Sequence, residues 1–272
     1  MSNFSENPFS LKKYTVAMLC LVCAAFLITT GCRESDKSLP VDEAEKQTVS
    51  VRSSPEVWDY PVKPGMEQWR QFKSTDEMFT ACQVPENILK VLDTESLVQT
   101  VYDFPAFTWF GFFNSPQAGF NSFHSHFNGV RELLERNDVG QCLLKKYQSL
   151  SVEDFDPEWS PAEQGSFSFK YQYFEILLAQ PQAVKSLEAE GRKMLLMEAV
   201  KKFDMKLSMN EVFGGIAVAT NAWLMARILH YDNQLTSDFY KPEEIEESLQ
   251  SGRLVNYDVM SIYEQAKSYA NE

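Results

Sequence analysis

The chain has 272 residues, with 38 acidic against 25 basic side chains and a formal net charge of −13 at pH 7. This excess of acid argues against a nucleic-acid partner, because phosphates are bound by lysine and arginine. It also argues against docking on anionic lipid through charged side chains.

The first 31 residues have the order of a bacterial lipoprotein signal peptide. Lys12 and Lys13 precede an uncharged run at 14–30, and small residues lead to Gly31-Cys32. This is the positive, apolar and small-residue order of a secretory signal. We therefore expect residues 1–31 to be removed and Cys32 to become the lipid-modified, palmitoylated N-terminus. The protein would then lie in the bacterial cell envelope, with the membrane as a partner through the anchor on Cys32.

An uncleaved signal anchor is the alternative. The uncharged run of about 17 residues is at the short limit for a helix that crosses a bilayer. Thr29 also stands where lipoprotein signals usually have leucine. Small residues before Cys32 favour cleavage. Since Lys12, Lys13 and Glu6 add to +1, cleavage would leave a chain of net charge −14.

Composition divides the remaining chain in two. Residues 32–64 are polar, charged and contain prolines, which predicts a flexible acidic tether. Its more apolar end, Val57–Tyr60, is expected to fold back on the domain. Residues 65–272 suffice for a single helical domain with a buried core. An acidic, proline-containing loop at 151–165 leaves a subdivision of that domain open.

Apolar residues recur at helical spacing in the first half of the domain, and alternating strand patterns are scarce. Serine, threonine and proline mark the predicted helix starts, as capping residues do. These starts lie at Ser74, Pro85, Thr94 and Ser115-Pro116, a break or bend lies at Asn128-Gly129, and a further helix follows Asn137-Asp138.

Longer helices are predicted in the second half. They cover 166–180, 183–207, 214–231, a stretch that opens at Lys241-Pro242, and 258–270. The most hydrophobic of them, 214–231, is the predicted central buried helix. We therefore expect an all-α fold, an array of antiparallel helical hairpins rather than a regular four-helix bundle. A degenerate solenoid stays open, because sequence alone can hide its repeats.

Three histidines are the candidates for catalysis or metal binding. His124 and His126 point about 200° apart on a helix, so they cannot bind one ion and no metal site is predicted. His230, beside Asp232, is the least unfavourable general base, although the helix dipole explains a histidine at a helix end equally well. Hydrolase motifs are missing outside the signal region, and the glycine patterns of phosphate and dinucleotide sites are missing too. No catalytic residue and no cofactor is predicted, and the sequence leans against an enzyme.

Acidic residues alternate at the loop around 154–158, as ligands do in a calcium loop. Trp159 stands where such a loop needs glycine, and Gly165 stands where it needs glutamate. The stretch is therefore interpreted as a solvated acidic loop.

After the predicted signal peptide, the chain contains two cysteines in addition to Cys32, namely Cys82 and Cys142. A disulfide between them would close about 60 residues and contribute up to roughly 4 kcal/mol. Both also lie on predicted apolar helix faces, which slightly favours unpaired core thiols.

Aromatic residues are densest between 104 and 113. Such residues dominate both protein cores and interfaces. Core packing is the favoured interpretation, and exposed, contiguous rings would favour a partner site. The candidate partner-binding residues are Phe107, Trp109, Phe110, Phe112 and Phe113.

Two stretches, MEQWRQFKSTDEMFTACQVPENILKVLDTESLVQTVYDFP and GFNSFHSHFNGVRELLERNDVG, resemble a helical module that recurs in exported proteins of Bacteroidetes and some Gram-positive bacteria. The resemblance covers about residues 65–150 and is one of pattern. That module has no assigned activity, cofactor or catalytic residue. The resemblance therefore implies export and lipidation and slightly favours a structural or binding role.

These observations predict a lipid-anchored envelope protein whose helical domain binds a protein or peptide. One alternative is a hydrolase of envelope or other polymers that gathers carboxylates dispersed in the sequence. A deep pocket that contains two such carboxylates, or one carboxylate beside His230, would favour this alternative. The other alternative is a purely structural envelope component.

Overall fold

The computed structural model describes residues 57–236, 242–254 and 259–272. The predicted signal peptide, Cys32 and most of the predicted tether lie outside the described residues, as do Lys241 and Asp258. All regular structure within the described ranges is helical, which confirms the all-α prediction. The regular stack of hairpins and the solenoid stay predictions.

Short helices make up the first half, and a 3-10 turn at Phe107–Phe112 interrupts them. These helices are α1 (Glu67–Gln71), α2 (Thr75–Ala81), α3 (Glu86–Leu89), α4 (Thr94–Tyr102), α5 (Pro116–His126), α6 (Asn128–Glu135) and α7 (Val139–Ser149). Another 3-10 turn at Val152–Asp154 leads into the second half. Its helices are α8 (Pro161–Leu178), α9 (Pro181–Lys185), α10 (Ala189–Ser208), α11 (Asn210–Tyr231), α12 (Pro242–Ser251) and α13 (Val259–Ala270).

Side-chain caps fix several helix starts. The Ser74 hydroxyl accepts the backbone N–H of Glu77, as its spacing predicts, while the Glu77 carboxylate accepts the N–H of Lys73. A complete capping box, Ser160 with Glu163, begins α8. The prediction of a loop over 151–165 is therefore wrong in its last residues, and Gly165 lies within the helix.

The predicted helix 183–207 is interrupted between α9 and α10. The Ser186 hydroxyl donates to the carbonyl of Ala183 and accepts the backbone N–H of Gly140 on α7 at 2.8 Å. A Cβ at Gly140 would overlap the Ala183 carbonyl, so only glycine permits this approach. A tertiary contact thus ends α9, and local periodicity carries no signal of it.

The hydrophobic helix α11 is the centre of the second half. It packs against α8, α10 and α13. This helix alone among the described residues is long and apolar enough to cross a bilayer, yet 67% of its most apolar stretch is buried inside the protein. The prediction of a central buried helix over 214–231 is confirmed. Its first turn is set off by Gly214, which has a positive φ of 64°.

Aromatic rings fill the core of the first half. Phe104 lies 4.4 Å from Phe127 and 5.0 Å from Phe123, measured between ring centroids. Tyr60 is 2% exposed, and its hydroxyl donates to the carbonyl of Thr100 at 2.9 Å. The predicted folding back of Val57–Tyr60 on the domain is confirmed.

Arg227 on α11 joins distant parts of the chain. Its guanidinium donates to the carbonyl of Ala179 after α8, to the carbonyl of Leu249 in α12 and to the side chain of Gln117 in α5. Burial lowers the pKa of Arg227 to about 10. The arginine still carries its charge at neutral pH and ties the two halves together through three acceptors.

Candidate functional site

A group of interacting, buried polar side chains lies between α7, α8, α10 and α11. We call Tyr147, Glu175, Lys206 and Asn221 the interior polar cluster. The ammonium of Lys206 donates to both carboxylate oxygens of Glu175 at 2.6 Å and to the carbonyl of Ala217 at 3.1 Å. An ammonium has three N–H donors, so each of them has an acceptor.

The carboxylate of Glu175 receives further donors. Its Oε1 accepts the Tyr147 hydroxyl at 2.7 Å and the Asn221 side-chain amide at 2.8 Å. Burial lowers the pKa of Lys206, while the Glu175 carboxylate acts in the opposite direction. Burial also raises the pKa of Tyr147 well above its usual value, and the carboxylate adds to that rise. The Glu175 carboxylate is thus the acceptor that Lys206, Tyr147 and Asn221 share.

The cluster is closed to substrates. Glu175, Lys206 and Asn221 are all 0% exposed, as is Tyr147. Because no solute can reach this acid and this base, they cannot catalyse a reaction of a substrate. The four side chains therefore fix how four helices pack, and the Glu175 carboxylate gives no support to hydrolysis.

Sequence reasoning did not identify this cluster. Glu175 and Lys206 are 31 positions apart and meet only after α8 and α10 have both packed against α11. One signal could have marked it: Glu175 stands alone in the apolar run between Phe174 and Ile176. A single charge in such a run needs a buried partner.

The predicted histidine candidates lie at separate places. His124 and His126 lie at the end of α5, where the Nδ1 of His126 is 2.6 Å from the carbonyl of Ser122. Burial lowers the pKa of His124, and the nearby Arg131 lowers it further. Within the described ranges, no group of three or more histidine, cysteine or acidic residues could hold a metal ion.

His230 is not paired with Asp232. Its Nε2 lies 3.9 Å from Oε2 of Glu246, and both side chains are 54% exposed. Asp232 instead accepts the guanidinium of Arg192 at 2.6 Å. The histidine and its carboxylate therefore lie on open surface, without the enclosing pocket that general acid–base catalysis uses.

The acidic loop folds as a local turn. The carboxylate of Asp156 accepts the backbone N–H of Glu158 at 2.9 Å, and Asp154 belongs to the 3-10 turn that precedes it. All three side chains are exposed. This arrangement agrees with a solvated loop.

Cys82 and Cys142 are free thiols, and both are buried. Burial raises the pKa of Cys82 to about 12. Burial and the neighbouring Asp138 raise that of Cys142 to about 11. Because the thiolate is the nucleophile, neither cysteine suits covalent catalysis.

The five aromatic candidates differ in exposure. Phe110 is 4% exposed and packs 5.0 Å from the ring of Phe123, so it is a core residue. Phe112 is 61% exposed. Phe107, Trp109 and Phe113 are half-buried. We call Trp109, Phe112 and Phe113 the aromatic edge.

A shallow groove of about 250 Å³ runs between α10 and α13. We call it the α10/α13 groove. Met197 in its floor is 53% exposed, and Met194, one turn earlier on α10, is 37% exposed. Residues from both helices line it, namely Met197, Val200, Lys201, Asp204, Lys267, Ala270 and Asn271. A flexible apolar floor with charged margins can accept an apolar side chain of another chain.

Comparison with known protein families, with curated proteins and with solved structures gives no match to this chain.

Proposed function

We propose that this chain is a lipid-anchored protein of the bacterial envelope whose helical domain binds a protein or peptide at the α10/α13 groove. The exposure of Met194 and Met197 beside an open groove is the observation that carries the proposal. Methionine side chains are flexible and polarisable, and binding surfaces that accept varied partners use them often. The residue order before Cys32 supports the anchor.

The dimensions of the groove favour a peptide over a small metabolite. Its volume of about 250 Å³ is below the roughly 300–1,000 Å³ of most small-molecule pockets. It can hold an apolar side chain or two, while the backbone of the partner lies across α10 and α13.

Charge narrows the class of partner. Lys201 and Lys267 border the groove, and the Lys201 side chain is 74% exposed although its ammonium lies 3.8 Å from the carboxylate of Glu198. The acid in the lining, Asp204, accepts the hydroxyl of Tyr263 at 2.7 Å. A basic margin in a chain of net charge −13 fits a peptide whose apolar side chain is flanked by acidic residues.

Peptide selection tests this proposal. A displayed random-peptide library is enriched on the full chain, and the recovered peptides are titrated by calorimetry. We expect an apolar residue flanked by aspartate or glutamate, at micromolar affinity. Met197→Glu should weaken binding at least tenfold, because it adds a negative charge to the floor that receives the apolar side chain.

Val91→Glu is the matched control, since Val91 is 60% exposed on the other half of the chain. It should leave the affinity unchanged. Equal binding by wild type and Met197→Glu, or enrichment of peptides without acidic residues, would contradict the proposed site.

A further inference from the structure

We infer that the aromatic edge inserts into the interfacial layer of the bilayer to which the protein is anchored. The inference rests on the lipid anchor proposed above and adds a second contact between the protein and the membrane. It assigns the edge to lipid, whereas the α10/α13 groove remains the site for a peptide.

The ring of Phe112 is exposed, and neighbouring aromatic rings pack beside it. Phe112 ends the 3-10 turn at Phe107–Phe112 and is 61% exposed. The ring of Trp109 lies 5.6 Å from those of both Phe112 and Phe113, and 5.9 Å from that of Phe79 in α2. The exposed ring of Phe112 is therefore supported by packed, half-buried aromatic neighbours.

The indole of Trp109 has the character of an interfacial residue. Its N–H donates to the hydroxyl of Ser122 at 3.2 Å, and the ring is half-buried. Tryptophan and other aromatic residues concentrate where a protein meets the boundary between lipid and water, because one part of the ring is apolar and another is polar.

Charge is missing from this part of the sequence. Between Asp103 and Arg131 the chain has no aspartate, glutamate, lysine or arginine, although 23% of all residues are charged. The exposed residues of this stretch, apart from Phe112, are glycine, neutral polar residues and one histidine, namely Thr108, Gly111, Asn114, Asn121, Ser125 and His126. Acidic side chains, which oppose contact with lipid, are thus absent from the segment that carries the aromatic edge.

A charged pair lies beside Phe107, at the start of the turn. The ammonium of Lys170 is 5.5 Å from the ring centre of Phe107 and 3.7 Å from the carboxylate of Asp103. This pair neutralises itself and does not include the exposed ring. Exposed aromatic rings serve protein partners as well as lipid, and here the uncharged stretch together with the proposed anchor favours the bilayer interface.

The proposed anchor keeps lipid within reach. The 25 positions from Cys32 to Val57 can span at most roughly 90 Å when fully extended. A tethered surface is present at a high effective concentration, so a weak contact through a few rings can be populated.

Tryptophan quenching tests the contact directly. The full chain is purified in its processed form and placed in phosphatidylcholine vesicles with plain or brominated acyl chains, because bromine quenches indoles that touch it. We expect lower emission in brominated vesicles, by about the contribution of one of the five tryptophans. The loss should vanish in Trp109→Phe, which keeps an aromatic ring, and persist in Trp159→Phe, which removes another half-buried indole.

A matched pair of charge substitutions tests the exposed ring. Phe112→Asp should abolish the quenching, whereas Val91→Asp should preserve it, since the two original side chains are 61% and 60% exposed. Emission of the wild type that is equal in plain and brominated vesicles would overturn the inference. So would quenching that survives Phe112→Asp. Absent quenching together with weaker binding of the selected peptides by Phe112→Asp would assign the edge to a protein partner instead.

Failure of the anchor is distinguishable from failure of the contact. The intact mass of the same preparation reports whether Cys32 carries lipid. If it carries none, the proposed anchor is wrong, and the edge is judged from the quenching of the full chain mixed with excess vesicles.

Discussion

Replacing Lys206 with methionine removes the only cation among the described residues that contacts the sealed carboxylate of Glu175. Two of the three lost hydrogen bonds join charged groups at 2.6 Å. Each such bond contributes roughly 1.5–3 kcal/mol, and removal of one partner of a buried ion pair costs about 3–5 kcal/mol. We therefore expect Lys206→Met to lower the free energy of unfolding by about 3–5 kcal/mol.

A surface pair of the same length provides the control. The ammonium of Lys145 also lies 2.6 Å from a carboxylate, that of Glu95, but these side chains are 66% and 59% exposed. Water screens such a pair, so Lys145→Met should cost roughly 0–1 kcal/mol. The contrast isolates burial, because the N–O distance is the same.

A double variant separates lost contacts from uncompensated charge. Glu175→Gln combined with Lys206→Met removes both charges and keeps a side-chain oxygen for the donors of Tyr147 and Asn221. It should be more stable than Lys206→Met alone. Urea unfolding followed by circular dichroism measures all the variants, with unchanged slopes as the check on two-state behaviour. A cost for Lys206→Met within 1 kcal/mol of the cost for Lys145→Met, or a double variant less stable than Lys206→Met, would refute this reasoning.

Four further substitutions test other parts of the fold. Gly214→Ala should destabilise the protein by roughly 1–3 kcal/mol, because a φ of 64° with a ψ of 175° is nearly restricted to glycine. Gly165→Ala, in the exposed part of α8, should instead stabilise it by roughly 0.5–1 kcal/mol. Shifts of the melting temperature that have the same sign in both variants would contradict this. Because burial raises the pKa of Cys82 from about 9 to about 12, the stability that it contributes is complete below pH 9 and is lost as the pH rises toward 12. The fall in unfolding free energy between pH 9 and 10, about 1 kcal/mol for one such group, should therefore be smaller in Cys82→Ala, and an unchanged fall counts against the buried thiol. Tyr60→Phe should cost roughly 0.5–1.5 kcal/mol in urea unfolding, since it removes one buried hydrogen bond, and no loss would contradict the packing of Val57–Tyr60.

Local chemistry made several helix starts predictable. Ser74 and Ser115 each accept a backbone N–H three residues later, and this bond depends only on neighbouring residues. The break between α9 and α10 was not predictable, because it depends on the approach of Gly140 to Ser186. A contact over 46 positions leaves no mark on the local pattern.

The candidate site was less predictable than the fold. Phe110 and Phe112 are two positions apart with the same side chain, yet they are 4% and 61% exposed. Hydrophobicity cannot separate them, because the 3-10 turn and the packing of Phe123 decide which ring points inward. The α10/α13 groove likewise exists only after two helices, distant in sequence, have met.

The intact mass of the processed protein tests the central claim, that Cys32 anchors this chain to a membrane, most directly. We expect a chain that begins at Cys32 and carries diacylglycerol and a further acyl group, and we expect Cys32→Ala to remain full-length and free of lipid. An unprocessed wild-type polypeptide, or a processed one without fatty modification, would contradict the claim.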